Sequence, residues 1–162
     1  MRLLKTLFIS GALVLMITQT SETVSAQQTN VQLTIVNPEG LYDPAPNGYS
    51  HAVVAKEGAR LAFIAGQGGE DNSGALSPKF EEQVKQAYAN LVTVLHAVGA
   101  GPDQVTKITT YVVNYDQGML GVMTKYVLET FGTALPAQSL VPVPRLALDG
   151  MLFEVDAIAV LD

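Results

Sequence analysis

The sequence of 162 residues contains no cysteine and no tryptophan. Without cysteine the chain has no disulfide framework, no thiolate ligand for a structural metal and no site for a cysteine-linked lipid anchor. Stability must therefore come from the apolar core or from the association of subunits. Hydrophobic residues make up 48% of the chain, which is enough for one domain with a substantial core.

Positive charge is also scarce, with 9 Lys and Arg residues against 15 Asp and Glu residues and a formal net charge of -6. Such a surface repels phosphate backbones. The composition therefore disfavours nucleic-acid binding and, with it, a ribonuclease function.

Motifs for a metal, a nucleotide or a hydrolase triad are absent as well. His51 and His96 are the only histidines, and without close spacing or cysteine they predict no metal site. The Gly-Gln-Gly-Gly segment at residues 66–69 lacks the Gly-Lys-Ser/Thr of a phosphate-binding loop, and no Gly-x-Ser-x-Gly motif occurs. The sequence therefore predicts neither a metal nor an organic cofactor.

The first 26 residues have the pattern of a secretory signal peptide. Two basic residues form a charged start, residues 7–17 are mostly apolar, and a small-residue cleavage site ends at Ala26. Cleavage after Ala26 would leave residues 27–162 as a single domain, with the bacterial periplasm as the expected location and no membrane contact. The alternative, an uncleaved membrane anchor, is disfavoured because the apolar run is short for a membrane span.

Hydrophobic periodicity in residues 27–162 predicts the order β-β-β-α-β-α-β-β. A turn at Glu57-Gly58 indicates a hairpin between the second and third strands. Ser77-Pro78 predicts the start of the first helix, as N-cap and first helical residue, and Gly99 predicts its end. The predicted strands are residues 31–36, 50–56, 60–65, 105–113, 138–143 and 151–160, and the second helix is predicted over residues 118–130.

This order predicts an α+β fold in which both helices cover one face of a mixed sheet. Strands 60–65 and 151–160 are apolar on both sides. The face without helices is therefore expected to contact another subunit.

Glu154 places a carboxylate inside the otherwise apolar strand 151–160. Burying a carboxylate is costly unless it has donors, a proton or a wet cleft, and acids in such positions are often functional. The alternative is a glutamate that pairs with a lysine or with backbone amides where subunits meet. Gln138 lies at the start of the preceding strand and is expected to face the same pocket.

The last two strands also carry a resemblance to a known family. Residues 154–159 read Glu-Val-Asp-Ala-Ile-Ala and residues 136–138 read Pro-Ala-Gln. These segments resemble the C-terminal signature of the Rid family, the YjgF-like reactive-intermediate deaminases. The family has arginine where this chain has Gln138, and commonly serine where it has Ala65. Further segments similar to the family are residues 37–38, 48–53, 63–67 and 83–91.

The resemblance implies a chorismate-mutase-like fold and a homotrimer with three clefts between subunits. The resemblance also implies hydrolysis of enamines and imines to keto acids in these clefts. By the same resemblance, Glu154 would position or activate water and Tyr49 would line the cleft, although a tyrosine packed under a loop is the alternative for Tyr49. The substrate-binding positions implied are Ala65, Gly66, Gln67, Pro136, Ala137 and Gln138.

The glutamine at position 138 weakens the expectation for charged substrates. An arginine would hold a substrate carboxylate with two charge-assisted hydrogen bonds, whereas glutamine offers one neutral amide. Binding of a 2-imino acid is expected to lose about 2–4 kcal/mol. Arg145 is a possible substitute, but its position in a regular strand would face away from Gln138.

Two functions stay open on the sequence alone. The first is hydrolytic deamination of an enamine or imine. The second is non-catalytic, with the clefts binding a small ligand or the protein acting in a chaperone-like way.

Overall fold

The computed structural model describes residues 33–161, so the predicted signal peptide and the start of the first predicted strand lie outside the described residues. The predicted order of strands and helices is confirmed within this range. Short 3-10 helices precede β2 and β4. The strands are β1 (Leu33–Val36), β2 (Ala52–Ala55), β3 (Arg60–Gly68), β4 (Val105–Val113), β5 (Ala137–Val143) and β6 (Phe153–Leu161), and the helices are α1 (Phe80–Ala97) and α2 (Met119–Phe131).

Four strands form one mixed sheet in the order β3-β6-β4-β5. The β4–β5 pair is parallel, and β6 is antiparallel to both of its neighbours. β1 and β2 form a separate antiparallel pair. The predicted hairpin between residues 50–56 and 60–65 is therefore wrong. A turn does form at Gly58, with φ of +81°, but β3 pairs with the long apolar strand β6 instead of β2.

Both helices cover one face of this sheet and enclose the core. Alternate residues of β6 are buried there, beginning with Phe153 and Val155, and the apolar residues of α1 recur at the helical period on its inner side. Helix α1 begins at Phe80 with Lys79 as N-cap, so the predicted start at Ser77-Pro78 is early. Ser77 still contributes, because its hydroxyl accepts a hydrogen bond from the Lys79 amide at 3.2 Å.

The opposite face of the sheet is not covered by either helix of residues 33–161. Leu61 and Phe63 on β3 are 52% and 75% exposed, and Val141 on β5 is 36% exposed. Leu61 and Phe63 lie on the same side of β3, and neighbouring exposed apolar side chains favour an interaction site. Contact of this face with another subunit remains a prediction. Within residues 33–161, neither helix has the length and hydropathy that a membrane-spanning segment requires.

Candidate functional site

A bulge in β3 lies beside Glu154. Ile64 pairs with Ala157 and Gln67 pairs with Val155, so that Ala65 and Gly66 together oppose the single residue between them on β6. The Gln67 side chain donates a hydrogen bond to the Ala65 carbonyl at 3.0 Å. Bulges of this type are frequent next to active sites, where they redirect side chains. The strand continues through the bulge to Gly68, so its predicted end at residue 65 is wrong.

Gly66 lies directly beneath the side chain of Glu154. A Cβ atom at this position would stand 2.8 Å from Glu154 Cγ and closer still to the carboxylate. Gly66 is not among the glycines with positive φ, so glycine is needed here for space and not for backbone conformation. The group that approaches the glycine is the candidate catalytic acid itself.

The carboxylate of Glu154 is half-buried and surrounded by negative charge. Burial raises the pKa of Glu154 above its usual range, and the nearby carboxylates of Glu70 and Asp156 raise it further. Among residues 33–161, no hydrogen bond or ion pair is made to this carboxylate. A carboxyl group with a raised pKa and no protein donor is suited to exchange protons with a bound molecule or with water.

Asp156 has a different role on the same face of the sheet. Its carboxylate accepts hydrogen bonds from the Thr109 amide at 3.1 Å and from the Tyr111 hydroxyl at 3.0 Å. The hydrogen bond to Asp156 raises the pKa of Tyr111. Tyr111 pairs with Glu154 across β4 and β6, so it belongs to this side of the site. Tyr111 is not among the site residues predicted from the sequence, although its position in β4 alternates with the buried residues Thr110 and Val112.

A second cluster forms around Tyr49. The hydroxyl groups of Tyr42 and Tyr49 are hydrogen-bonded, and the rings of Tyr42, Tyr49 and His51 pack edge to face with centroids 5.3–6.4 Å apart. His51 Nε2 lies 3.0 Å from the Tyr42 backbone carbonyl. Because a carbonyl oxygen can only accept, Nε2 is the donor in this contact.

Ser50 connects this aromatic cluster to the start of β5. Its amide donates to the Pro136 carbonyl at 2.9 Å, its hydroxyl donates to the Leu135 carbonyl at 2.6 Å, and it forms a parallel bridge with Ala137. Tyr49 is therefore held next to the Pro-Ala-Gln segment. We call Tyr49, Pro136, Ala137 and Gln138 the Gln138 cluster, and Ala65, Gly66, Gln67 and Glu154 the Glu154 cluster.

The structure does not bring Gln138 and Glu154 together within one chain. Gln138 pairs with Ile108, whose side chain is buried under the helices, and Leu140 on the same side of β5 packs against the core. Glu154 pairs with Tyr111 on the opposite face, and β4 separates the two strands. The predicted shared pocket is therefore wrong for a single subunit. The two clusters lie toward opposite edges of the sheet.

Arg145 does not supply the missing positive charge to Gln138 in the chain. It follows the end of β5, its side chain is 73% exposed, and it forms an ion pair with Asp149 at 3.2 Å. An exposed pair of this kind contributes little to stability. Within residues 33–161, no group of three or more potential ligands is placed to hold a metal ion.

Comparisons with known proteins match this arrangement to one family. The family model described as "Endoribonuclease L-PSP" matches residues 42–161. A crystal structure of the Rid-family protein YyfB from Yersinia pestis is 36% identical, covers 80% of this chain and 98% of its own, and superposes with a TM-score of 0.76. This chain belongs to the Rid family.

Curated Rid relatives agree with the assignment over most of their own length. A RutC family protein of Pyrococcus horikoshii is 34% identical over 119 residues, which are 72% of this chain and 90% of that protein. The RutC family protein YjgH of Escherichia coli is 30% identical over 130 residues, or 80% of this chain and 95% of YjgH. The Rid fold is thus established for this chain. The Glu154 cluster lies on β3 and β6, and the Gln138 cluster lies at the start of β5.

Proposed function

We propose that this protein is an exported Rid-family homotrimer that binds a small carbonyl or imine compound between subunits and hydrolyses enamines and imines. The observation that carries the proposal is the Glu154 carboxyl group. It has a raised pKa and no hydrogen-bond donor among the described residues. The glycine at position 66 leaves the space that its side chain occupies. These are the features expected of a group that transfers protons to and from a substrate.

The division of the site into two clusters supports a cyclic assembly. In a head-to-tail ring, one surface of each subunit meets a different surface of the next, and a closing rotation completes the ring. Such a contact would join the Glu154 cluster of one subunit to the Gln138 cluster of its neighbour. It would also cover Leu61 and Phe63, which are exposed in the single chain. Each cleft would then contain residues from two subunits.

An enamine first becomes an imine by gaining a proton at carbon and losing one from nitrogen. The imine then adds one water across its carbon–nitrogen double bond and releases ammonia and a carbonyl compound. Glu154 in its acid form gives a proton to the nitrogen as the water oxygen bonds to carbon. The resulting carboxylate then takes a proton from the added oxygen, which restores the acid. A second cycle protonates the nitrogen again, breaks the carbon–nitrogen bond, and removes the hydroxyl proton as the carbonyl forms.

The substrate class follows from the neutral amide at position 138. Gln138 offers both a donor and an acceptor without charge, so it fits a carbonyl or amide group better than a carboxylate. Uncharged enamines and imines are therefore the proposed substrates, and 2-imino acids are disfavoured by about 2–4 kcal/mol. That difference corresponds to roughly 30-fold to 1,000-fold in the ratio of rates.

Binding of a neutral ligand without turnover is the second candidate. The departure from the family's arginine at Gln138 favours it, since the substrate anchor has changed while the fold is kept. Although the matching family model is described as an endoribonuclease, ribonuclease activity is not proposed for this chain, because it has 9 basic and 15 acidic residues.

One assay separates the two candidates. Imines are generated in the presence of the protein by an amino-acid oxidase (2-iminopropanoate) or an amine oxidase (an uncharged imine), and their lifetime is read by competition with semicarbazide. We expect the wild type to shorten the lifetime of the uncharged imine and Glu154→Ala to abolish that effect. Glu39→Ala, which removes an exposed carboxylate outside both clusters, is the matched control.

The same assay tests the role of position 138. Gln138→Arg is expected to accelerate hydrolysis of 2-iminopropanoate by ~30-fold or more. Equal lifetimes with wild type and Glu154→Ala for both imines would reject hydrolysis and leave ligand binding. Export is tested separately by the mass and cell fraction of the protein, which is expected in the periplasm without residues 1–26.

A further inference from the structure

Two glycines of β3 each lie beneath a carboxylate. Gly66 lies under Glu154, and Gly68 lies under Glu70, whose carboxylate occupies the space that a Cβ atom at Gly68 would need. Gly68 is also the residue of β3 that pairs with Glu154 on β6. The two carboxylates therefore lie against glycines that are two residues apart in β3.

The fold holds Glu70 in this place. The Asn90 side-chain amide donates to the carbonyls of both Gly68 and Glu70 at 2.9 Å, and this fixes the backbone on either side of Gly69. A Cβ atom at Gly69 would stand 2.5 Å from the Gln83 Cα atom, so β3 runs against α1 without clearance here. The backbone of Glu70 is thus held by the helix.

We propose that Glu70 is a positioning residue of the site that keeps the proton on Glu154, so that Glu154 enters the reaction as the proton donor. This inference rests on the proposed function. Two neighbouring carboxylates are costly to ionise together, so one of them retains its proton to a higher pH. Glu70 acts through that repulsion, without contacting the substrate.

The other groups facing Glu154 do not replace this effect. On β6, Asp156 is negative but has two hydrogen-bond donors, Thr109 and Tyr111, which partly satisfy its charge. On β4, Lys107 pairs with Ile158 and its ammonium group donates to the Ser139 hydroxyl at 2.7 Å, toward β5. Among residues 33–161, no ion pair or hydrogen bond is made to the Glu70 carboxylate.

The direction of the Glu154 pKa supports the inference. Burial is the largest cause of the raised pKa, and Glu70 is the next, ahead of Asp156. Glu70→Gln keeps the shape of the side chain and removes its charge. It should therefore lower the pKa of Glu154 while leaving the burial of that group unchanged.

The test is an NMR titration of the Glu154 carboxyl carbon in the purified protein, with Glu70→Gln and the matched control Glu39→Gln. We expect Glu70→Gln to lower the Glu154 pKa, because it removes the neighbouring negative charge, and Glu39→Gln to leave it unchanged. In the imine assay, the high-pH limb of the pH–rate profile of Glu70→Gln should shift to lower pH by the same amount as the Glu154 pKa.

The two readouts distinguish the possible failures. A Glu154 pKa that is the same in wild type and Glu70→Gln overturns the inference. A lowered Glu154 pKa in a protein that hydrolyses no imine keeps the electrostatic role of Glu70 and overturns only the proposed reaction. An active protein whose rate profile does not move with Glu70→Gln removes Glu70 from the mechanism.

Discussion

Substitution of Gly66 by alanine tests whether the Glu154 side chain is positioned by the bulge in β3. The new Cβ atom would stand 2.8 Å from Glu154 Cγ, whereas carbon atoms in contact are separated by about 3.5–4.0 Å. The Glu154 side chain must therefore move by about 1 Å or leave its rotamer, at a cost of about 0.5–1.5 kcal/mol. A displacement of about 1 Å at a catalytic group can reduce the rate by ~100-fold.

A double-mutant cycle isolates this contact from other effects of the new methyl group. In a Glu154→Ala background the carboxylate is absent, so Gly66→Ala should no longer lower the melting temperature. Gly121→Ala is the control, because no atom lies within 4 Å of the new methyl group and alanine favours the helix by about 0.5–1 kcal/mol. Equal losses of stability in both backgrounds, or wild-type turnover in Gly66→Ala, would contradict the proposed role of the glycine.

Three further predictions concern stability, pH and assembly. Tyr88→Phe is expected to keep or raise the melting temperature, because the buried Tyr88 hydroxyl has no partner among the described residues. Tyr126→Phe is the comparison and should lower the melting temperature, because it loses a hydrogen bond to Glu81. A large drop in the melting temperature of Tyr88→Phe would contradict this prediction. Glu154→Gln should stabilise the fold at pH 7 but not at pH 4. The pKa of Glu154 is raised in the folded state, so the wild-type protein loses stability as the pH rises toward and through that pKa. Thermal melts at both pH values measure the difference. Phe63→Glu should convert the proposed trimer to monomers in light scattering, whereas Leu128→Glu on the helix side should not; trimers of Phe63→Glu would refute the proposed interface.

The elements with strong local periodicity could be predicted from the sequence. β4 was predicted at its observed bounds, residues 105–113, and α2 within one residue of each end. The end of β3 could not be predicted from the sequence, because Gly66, Gln67 and Gly68 have the composition of a turn. Their glycines serve instead to admit the carboxylates of Glu154 and Glu70 over a continuing strand. A local pattern cannot distinguish these two uses of glycine.

The pairing of the strands also could not be predicted from the sequence. Turn chemistry at Gly58 indicates a reversal but not a partner, and β3 pairs with β6, the last strand of the chain. Gln138 and Glu154 both have even numbers, but parity relates side chains only within one strand. Which face each residue occupies depends on the registers through β4, where Ile108 pairs with Gln138 and Tyr111 pairs with Glu154.

The separation of the two clusters has a consequence for how substrate choice can change. The proton-transfer group and the bulge that positions it belong to β3 and β6, whereas position 138 lies on β5 beyond the intervening strand. A substitution at Gln138 therefore leaves the contact between Gly66 and Glu154 untouched. In the proposed trimer, however, each cleft would contain the Glu154 cluster of one subunit and the Gln138 cluster of its neighbour. Gln138→Arg and Glu70→Gln should therefore couple across the subunit contact, because both change the charge near Glu154. Strictly additive effects of the two substitutions would mean that the clusters do not share a cleft, contrary to the proposed assembly.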